Sequence, residues 1–249
     1  MKNFNKTSAL KAAARDRLIG HYGTTISAII LYRFISFVVV NFIVGSIIPS
    51  SLISYLVFFS ATILVNLFLG VFDSGLAYLF MNIIYGQSVS VGDLFHGFKN
   101  HPDKAIKLQV PIAVMDTLTM IPIQVLSVVL ARNAKITGSI EPQVTYAVIA
   151  VIGILAIINL YVRLTFSQSY YILQDFPDKS ATSILKTSSK LMKGNKRRLI
   201  LLYLSFIPLG LIGMLACFVP FFWVTAYVAA SDAAFYQDLV AVSAQNTNS

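Results

Sequence analysis

From Leu199 to Val228 the chain carries no charged side chain, and Ser51–Phe72 is a second such run. Phe37–Ile48 and Val144–Leu160 are also free of charge. About 20 consecutive apolar residues cross a bilayer core as a helix. A backbone in lipid must satisfy its own hydrogen bonds, so helices and closed barrels are the available solutions. Barrel strands would show short alternating segments, and the runs here are continuous. Composition agrees: 57% of the 249 residues are hydrophobic and 12% are charged, against about 25% charged in soluble domains. The expected fold is all-α and polytopic.

Polar breaks divide the chain into six expected spans: 22–48, 52–84, 105–131, 144–174, 196–216 and 219–242. Together they make a single helical membrane domain over 1–242, with a disordered polar tail at 243–249. The first apolar run starts near Tyr22 and is too long for a signal-peptide core, so no cleaved leader is expected. The single cysteine, Cys217, excludes an intrachain disulfide and a cysteine metal cluster.

Net charge is +9. In this setting the positive charges border apolar spans, which points to topology and anionic lipid rather than nucleic acid. Fifteen Lys and Arg fall in the segment before the first span and in the second and fourth connections, against Arg132 and Lys135 on the opposite side. The positive-inside rule then places both termini in the cytoplasm. The three basic connections share a plan. "LKAAARDRLIGHY", "VGDLFHGFKN" and "ILKTSSKLMKGNKRR" each read as a short helix, a Gly or Asn, and the next span. In the third, Ala181, Ile184, Leu185, Ser188, Leu191 and Met192 share one face, and Lys186, Lys190 and Lys193 the other. Such a helix is expected to lie in the interface with its apolar face in lipid. With Lys196, Arg197 and Arg198 it forms a candidate surface for anionic lipid. Three units, each a short helix plus a two-span hairpin, suggest an internal repeat; interfacial helices before spans are also common in themselves.

The segments "SVSVGDLFHGFKN", "SSKLMKGNKRRLILLYLSF" and "AAFYQDL" resemble a bacterial integral-membrane family known as domain of unknown function 975. More distantly the chain is similar to the membrane domain attached to some glycerophosphodiester phosphodiesterases. The resemblance implies a helical fold in a bacterial cell membrane, and implies no activity and no functional residue.

Five charges lie deep inside the spans, away from their basic ends: Arg33, Asp73, Asp116, Arg163 and Asp232. The first four each lie 12 residues from a polar marker at the basic end, His21, Tyr85, Lys104 and Asp175. That is about 18 Å at 1.5 Å per residue. An unpaired charge at the bilayer centre costs at least about 2.5–3.5 kcal/mol. Arg33 is therefore expected to meet Asp73 or Asp116, and Arg163 to meet Asp232 or the remaining aspartate, leaving one carboxylate over. Tyr32 and Tyr161 flank the arginines, with Asn41, Asn66, Asn82 and Asn159 nearby. Arginine with tyrosine suits a phosphate or carboxylate headgroup; the same charges also serve as a register device. His96 and His101 beside Asp93 and Asp103 read better as helix-start chemistry than as a metal site. No HExxH, GxSxG, P-loop or GxGxxG occurs. The expectation is a non-enzymatic protein without cofactor or metal that binds or moves a lipid or other amphiphile. The alternative is an accessory subunit whose basic face recruits anionic lipid or a protein partner, an oligomer included.

Overall fold

A computed structural model describes residues 4–136, 142–215 and 219–247. Its elements are α1 (Thr7–Leu18), α2 (Tyr22–Val39) continued by a π-helical turn (Val40–Val44), α3 (Leu52–Ile84), a 3₁₀ turn (Val91–Phe95) leading into α4 (His96–Lys99), α5 (Pro102–Ile136), α6 (Pro142–Phe166), α7 (Ser169–Asp175), α8 (Ala181–Met192), α9 (Lys196–Leu204), α10 (Ile207–Leu215) and α11 (Val219–Thr247). Among the described residues there is no strand. Five segments are long and apolar enough to cross a membrane: Tyr22–Val44, Leu52–Ile84, Pro102–Val128, Thr145–Asp175 and Lys196–Leu215. The sixth expected span is α11, which is not among the five. Its middle is well enclosed: Ala226, Ala230, Ser231, Ala233, Phe235, Tyr236, Asp238 and Leu239 are all buried. A helix surrounded by protein needs small residues for close approach more than it needs hydropathy. The helix runs on to Thr247, into the segment expected to be a disordered tail. The side chains of Arg132, Lys135 and Cys217 lie outside the described residues.

The chain signals its own helix starts. Ser51 accepts from the Ser54 N–H at 3.3 Å while the Ser54 hydroxyl accepts from the Ser51 N–H at 2.8 Å, a reciprocal cap for α3. Asp93 returns to the Ser90 N–H at 2.8 Å, and Ser180 caps α8 through the Ser183 N–H. Pro208 follows the break between α9 and α10. Lys11 donates to the Ser205 carbonyl there at 3.2 Å and lies 4.2 Å from the Phe206 ring centre. Pro111 and Pro122 leave α5 unbroken.

Three short helical segments precede the hairpins α2–α3, α5–α6 and α9/α10–α11, as expected. The turns after them also match. Gly20 (φ 86°) and Gly194 (φ 83°) each stand two residues before the next helix, and His101 (φ 56°) stands one before. The packing is cyclic. The 3₁₀–α4 segment sits on α3, α8 sits on α6 and α7, and α1 closes the ring on α11. The first helix of each hairpin follows the same rule: α5 on α3, α9 on α6, α2 on α11. This supports the three-unit plan.

The short helices are not laid in lipid. Ala181, Ile184, Ser188 and Met192 of α8 are buried in the bundle, as are Leu10, Ala14 and Leu18 of α1. The apolar stripe was correctly placed, but its partner is protein. Leu79, Ile83, Leu108, Ile172, Ile184 and Tyr236 form the centre of the core. That core lies in the half of the molecule carrying the short helices. Toward the hairpin tips the side chains turn outward: Phe42, Ile48, Leu52, Ile154, Ile157 and Leu215 are exposed, as suits helices bathed in acyl chains.

Candidate functional site

Where the packed half meets the hairpin tips, the helices enclose a cavity of about 510 Å³. All six long segments contribute to its wall. Arg33 and Tyr32 come from α2, Asp73 from α3, Gln109 from α5, Arg163 from α6 and Asp232 from α11, while Tyr170 and Tyr171 come from α7 and Tyr203 from α9. Ile29, Phe80, Ile112 and Leu160 supply apolar wall between them. Four of the five predicted intramembrane charges thus face one space. Asp116 is just beyond it, on the next turn of α5 after Ile112.

The pairing differs from expectation. Arg163 takes Asp116: Nη2 donates to both carboxylate oxygens, at 2.7 and 2.6 Å. Asn159 completes this group. It accepts from Arg163 Nε at 2.9 Å and donates to Asp116 at 2.9 Å and to Thr119 at 3.2 Å. Asp73 receives a hydrogen bond from Tyr32 at 2.8 Å. Asp232 accepts from Gln168 at 3.4 Å, and Tyr171 and Tyr203 share its part of the wall. Among the described residues no ion pair or hydrogen bond reaches Arg33; its guanidinium carbon stands 5.9 Å from the Tyr32 ring centre. Successive helix residues diverge by about 100°, so the turn of α2 that aims Tyr32 at Asp73 carries Arg33 aside. Both Arg33 and Arg163 are exposed. Two aspartates, not one, stand without an arginine. Beside this site Gln168 Oε1, Ser169 Oγ and Ser231 Oγ are buried with no partner among the described residues, which native interiors rarely tolerate unless water or something else binds there.

Sequence reasoning missed Gln109, Gln168, Tyr170, Tyr171 and Tyr203. For Gln168, Tyr170 and Tyr171 the only signal is a run of amide and hydroxyl side chains, "FSQSYY", near the end of a span; Gln109 and Tyr203 carry none. Of the other residues singled out, Asn159 joins the Arg163 group, whereas Asn41 and Asn66 bond back to their own helices at Phe37 and Thr62. Tyr161 faces away, with Lys196 Nζ 3.3 Å from its ring centre. Among the described residues no group of three or more His, Cys, Asp or Glu is arranged to hold a metal ion.

The candidate lipid surface also divides. Lys186, Lys190, Lys193 and Arg197 are exposed. Lys196 is engaged with Tyr161. Arg198 is structural: its Nη2 donates to Asp238 at 2.7 Å and to the Asn5 carbonyl at 3.2 Å, and its guanidinium stacks 4.0 Å from the Phe4 ring centre.

Apolar spanning helices around a polar, ionisable cavity define a polytopic integral membrane protein. The chain belongs to the family described as Protein of unknown function (DUF975), which it matches over residues 1–243. No curated protein and no solved structure matches it.

Proposed function

We propose that the protein binds or moves a lipid or another amphiphile through this cavity, and that it is not an enzyme. The observation that carries the reading is one cavity, within the spans, whose wall alternates apolar side chains with Arg33, Asp73, Gln109, Arg163 and Asp232. A molecule with a polar head and an apolar tail suits such a wall. Intramembrane ionisable groups facing a cavity mark substrate paths more often than not. A second, apolar cleft of about 450 Å³ between α5 and α6, lined by Leu118, Ile121, Val125, Val148 and Leu155, follows the same helix pair beyond the Asp116–Arg163 group. The distant resemblance to the phosphodiesterase-linked membrane domain is in keeping with a lipid-handling role and assigns no residue. The charge asymmetry supports a bacterial cytoplasmic membrane with both termini inside.

The test is lipid co-purification. Protein extracted in a mild detergent is expected to retain lipid, and Ala229→Trp, which fills the cavity, is expected to lose it. Equal lipid content in both, with the variant folded, overturns the reading. The exposed Lys186, Lys190, Lys193 and Arg197 favour a second reading, an accessory subunit whose basic face recruits anionic lipid or a protein partner. Under that reading, reversing these charges abolishes function while Ala229→Trp is silent.

A further inference from the structure

The sign of the headgroup follows from which groups in the wall lack a partner; this step rests on the amphiphile reading above. Each carboxylate already has a donor. Asp116 accepts from Arg163 and Asn159, Asp73 from Tyr32 through one oxygen, and Asp232 from Gln168, with Tyr171 and Tyr203 on the same wall. The Tyr170 hydroxyl is also committed, donating to Gln109 at 2.9 Å. Arg33 is different. A guanidinium offers five N–H donors and accepts nothing, and none of the five meets an acceptor among the described residues. Asp73 is near enough to feel the Arg33 charge but takes its hydrogen bond from Tyr32, and a guanidinium in this layer with no acceptor is costly. The vacancy in the wall is for an acceptor of negative charge.

We propose that Arg33 binds the anionic headgroup of the amphiphile, a phosphate or a carboxylate, with Arg163 positioned on the same cavity wall. The planar fork of a guanidinium matches two oxygens of either group. Asp116 and Asn159 hold Arg163 at the far side, so the head is met from α2 and flanked from α6. The apolar wall at Ile29, Phe80 and Leu160 leaves the tail facing lipid or the hairpin tips. A cationic amphiphile is disfavoured because it would face Arg33 and would compete with Tyr32 for Asp73 and with Gln168 for Asp232.

The experiment is native mass spectrometry of the full chain in detergent. It uses three lipids with identical acyl chains: a phosphatidylglycerol, a phosphatidylcholine and a trimethylammonium lipid. Binding of the anionic lipid is expected to exceed that of the other two about tenfold, the worth of one charge-assisted bond. Arg33→Gln is expected to erase the preference, and Arg33→Lys to restore part of it. A Lys190→Gln/Lys193→Gln variant, altered only on the exposed face of α8, is expected to keep it. Inorganic phosphate is the competitor that separates a lipid head from a free anion: displacement of lipid by millimolar phosphate identifies the anion itself as sufficient. Retention of the preference in folded Arg33→Gln, or equal binding of the cationic lipid, overturns the assignment to Arg33 while leaving the amphiphile reading intact. Absence of any lipid in the wild type removes both.

Discussion

Two arginines, Arg198 and Arg33, show opposite uses of the same side chain. Arg198 sits in the packed half, 24% exposed, against an Asp238 that is 3% exposed. Four groups surround it: a carboxylate, a backbone carbonyl, and the Phe4 and Phe235 rings. Asp238 in turn accepts from the Asn5 N–H at 3.1 Å and from the Asn5 amide at 2.8 Å. This group ties the segment before α1 to α11 and so helps close the ring of short helices. Arg33 lies on the cavity with none of these partners. A satisfied charge fixes structure; an unsatisfied one marks where something else is expected. Stability measurements should therefore separate the two regions.

The largest effect is expected at the ring closure. Arg198→Leu leaves Asp238 buried with a charge that Asn5 alone must hold, and breaking a buried pair from one side costs about 3–5 kcal/mol. Thermal unfolding in detergent should show it as a large loss, with Arg198→Leu/Asp238→Leu milder than either single change. A single variant as stable as the wild type would mean that the ring is held elsewhere.

Next in size is the contact between α3 and the second short segment. Gly75 and Gly97 put the two backbones against each other. A Cβ on Gly75 would overlap the Leu94 carbonyl, and one on Gly97 the Val71 carbonyl. Backbone cannot swing away as a side chain does. Gly75→Ala is expected to lose about 1–3 kcal/mol, read as a lower unfolding midpoint in the same assay. Gly153→Ala, where the added methyl meets open space, is the control and should not lose stability.

How far the sequence carried is seen in these same residues. The spans were legible because hydropathy must reach a threshold to cross a bilayer, and four of the five charges found by their rarity do line one cavity. A shared level along the helices was legible too, since Arg33, Asp73 and Arg163, each twelve residues from a polar marker, reach the same cavity. Azimuth was not. Twelve residues in from an end says how deep Arg33 lies, but not whether it or Tyr32 meets Asp73. The stripe on α8 was legible as apolar, yet lipid and protein accept the same stripe, so its burial against α6 and α7 needed the fold. Gln109 and Tyr203 could not be found from their types, because amides and tyrosines are ordinary near membrane interfaces.

A smaller effect is expected for the Arg163–Asp116 pair, which is intermediate between the two extremes. Asp116 is 15% exposed, but the Arg163 side chain is 53% exposed, so solvent or ligand screens much of the attraction. A double-mutant cycle with Arg163→Leu and Asp116→Leu should give a coupling of about 1 kcal/mol, below the cost at Arg198. A coupling near zero would place Arg163 with Arg33 as a second free cation. A coupling as large as the Arg198 effect would make the pair a register device.

The smallest stability effect belongs to Arg33. No hydrogen bond among the described residues is broken when it is removed: Asp73 keeps Tyr32, and Asp116 keeps Arg163 and Asn159, while Asp73 loses the longer-range attraction of Arg33 and keeps that of Arg163. Arg33→Leu should leave the unfolding midpoint within about 0.5 kcal/mol of wild type, or raise it, as for a substitution that touches no structural feature. The cycle pairing Arg33→Leu with Asp116→Leu should be additive to within about 0.5 kcal/mol. Binding should respond in the opposite order, with loss of the anionic lipid at Arg33 and little change at Arg198 variants that still fold. If Arg33→Leu instead destabilised the protein by as much as Arg198→Leu, Arg33 would be a structural residue and the contrast between the two regions would collapse. Held stability with lost binding is the signature of a group kept for its ligand, since among the described residues no hydrogen bond or ion pair gives Arg33 a structural task.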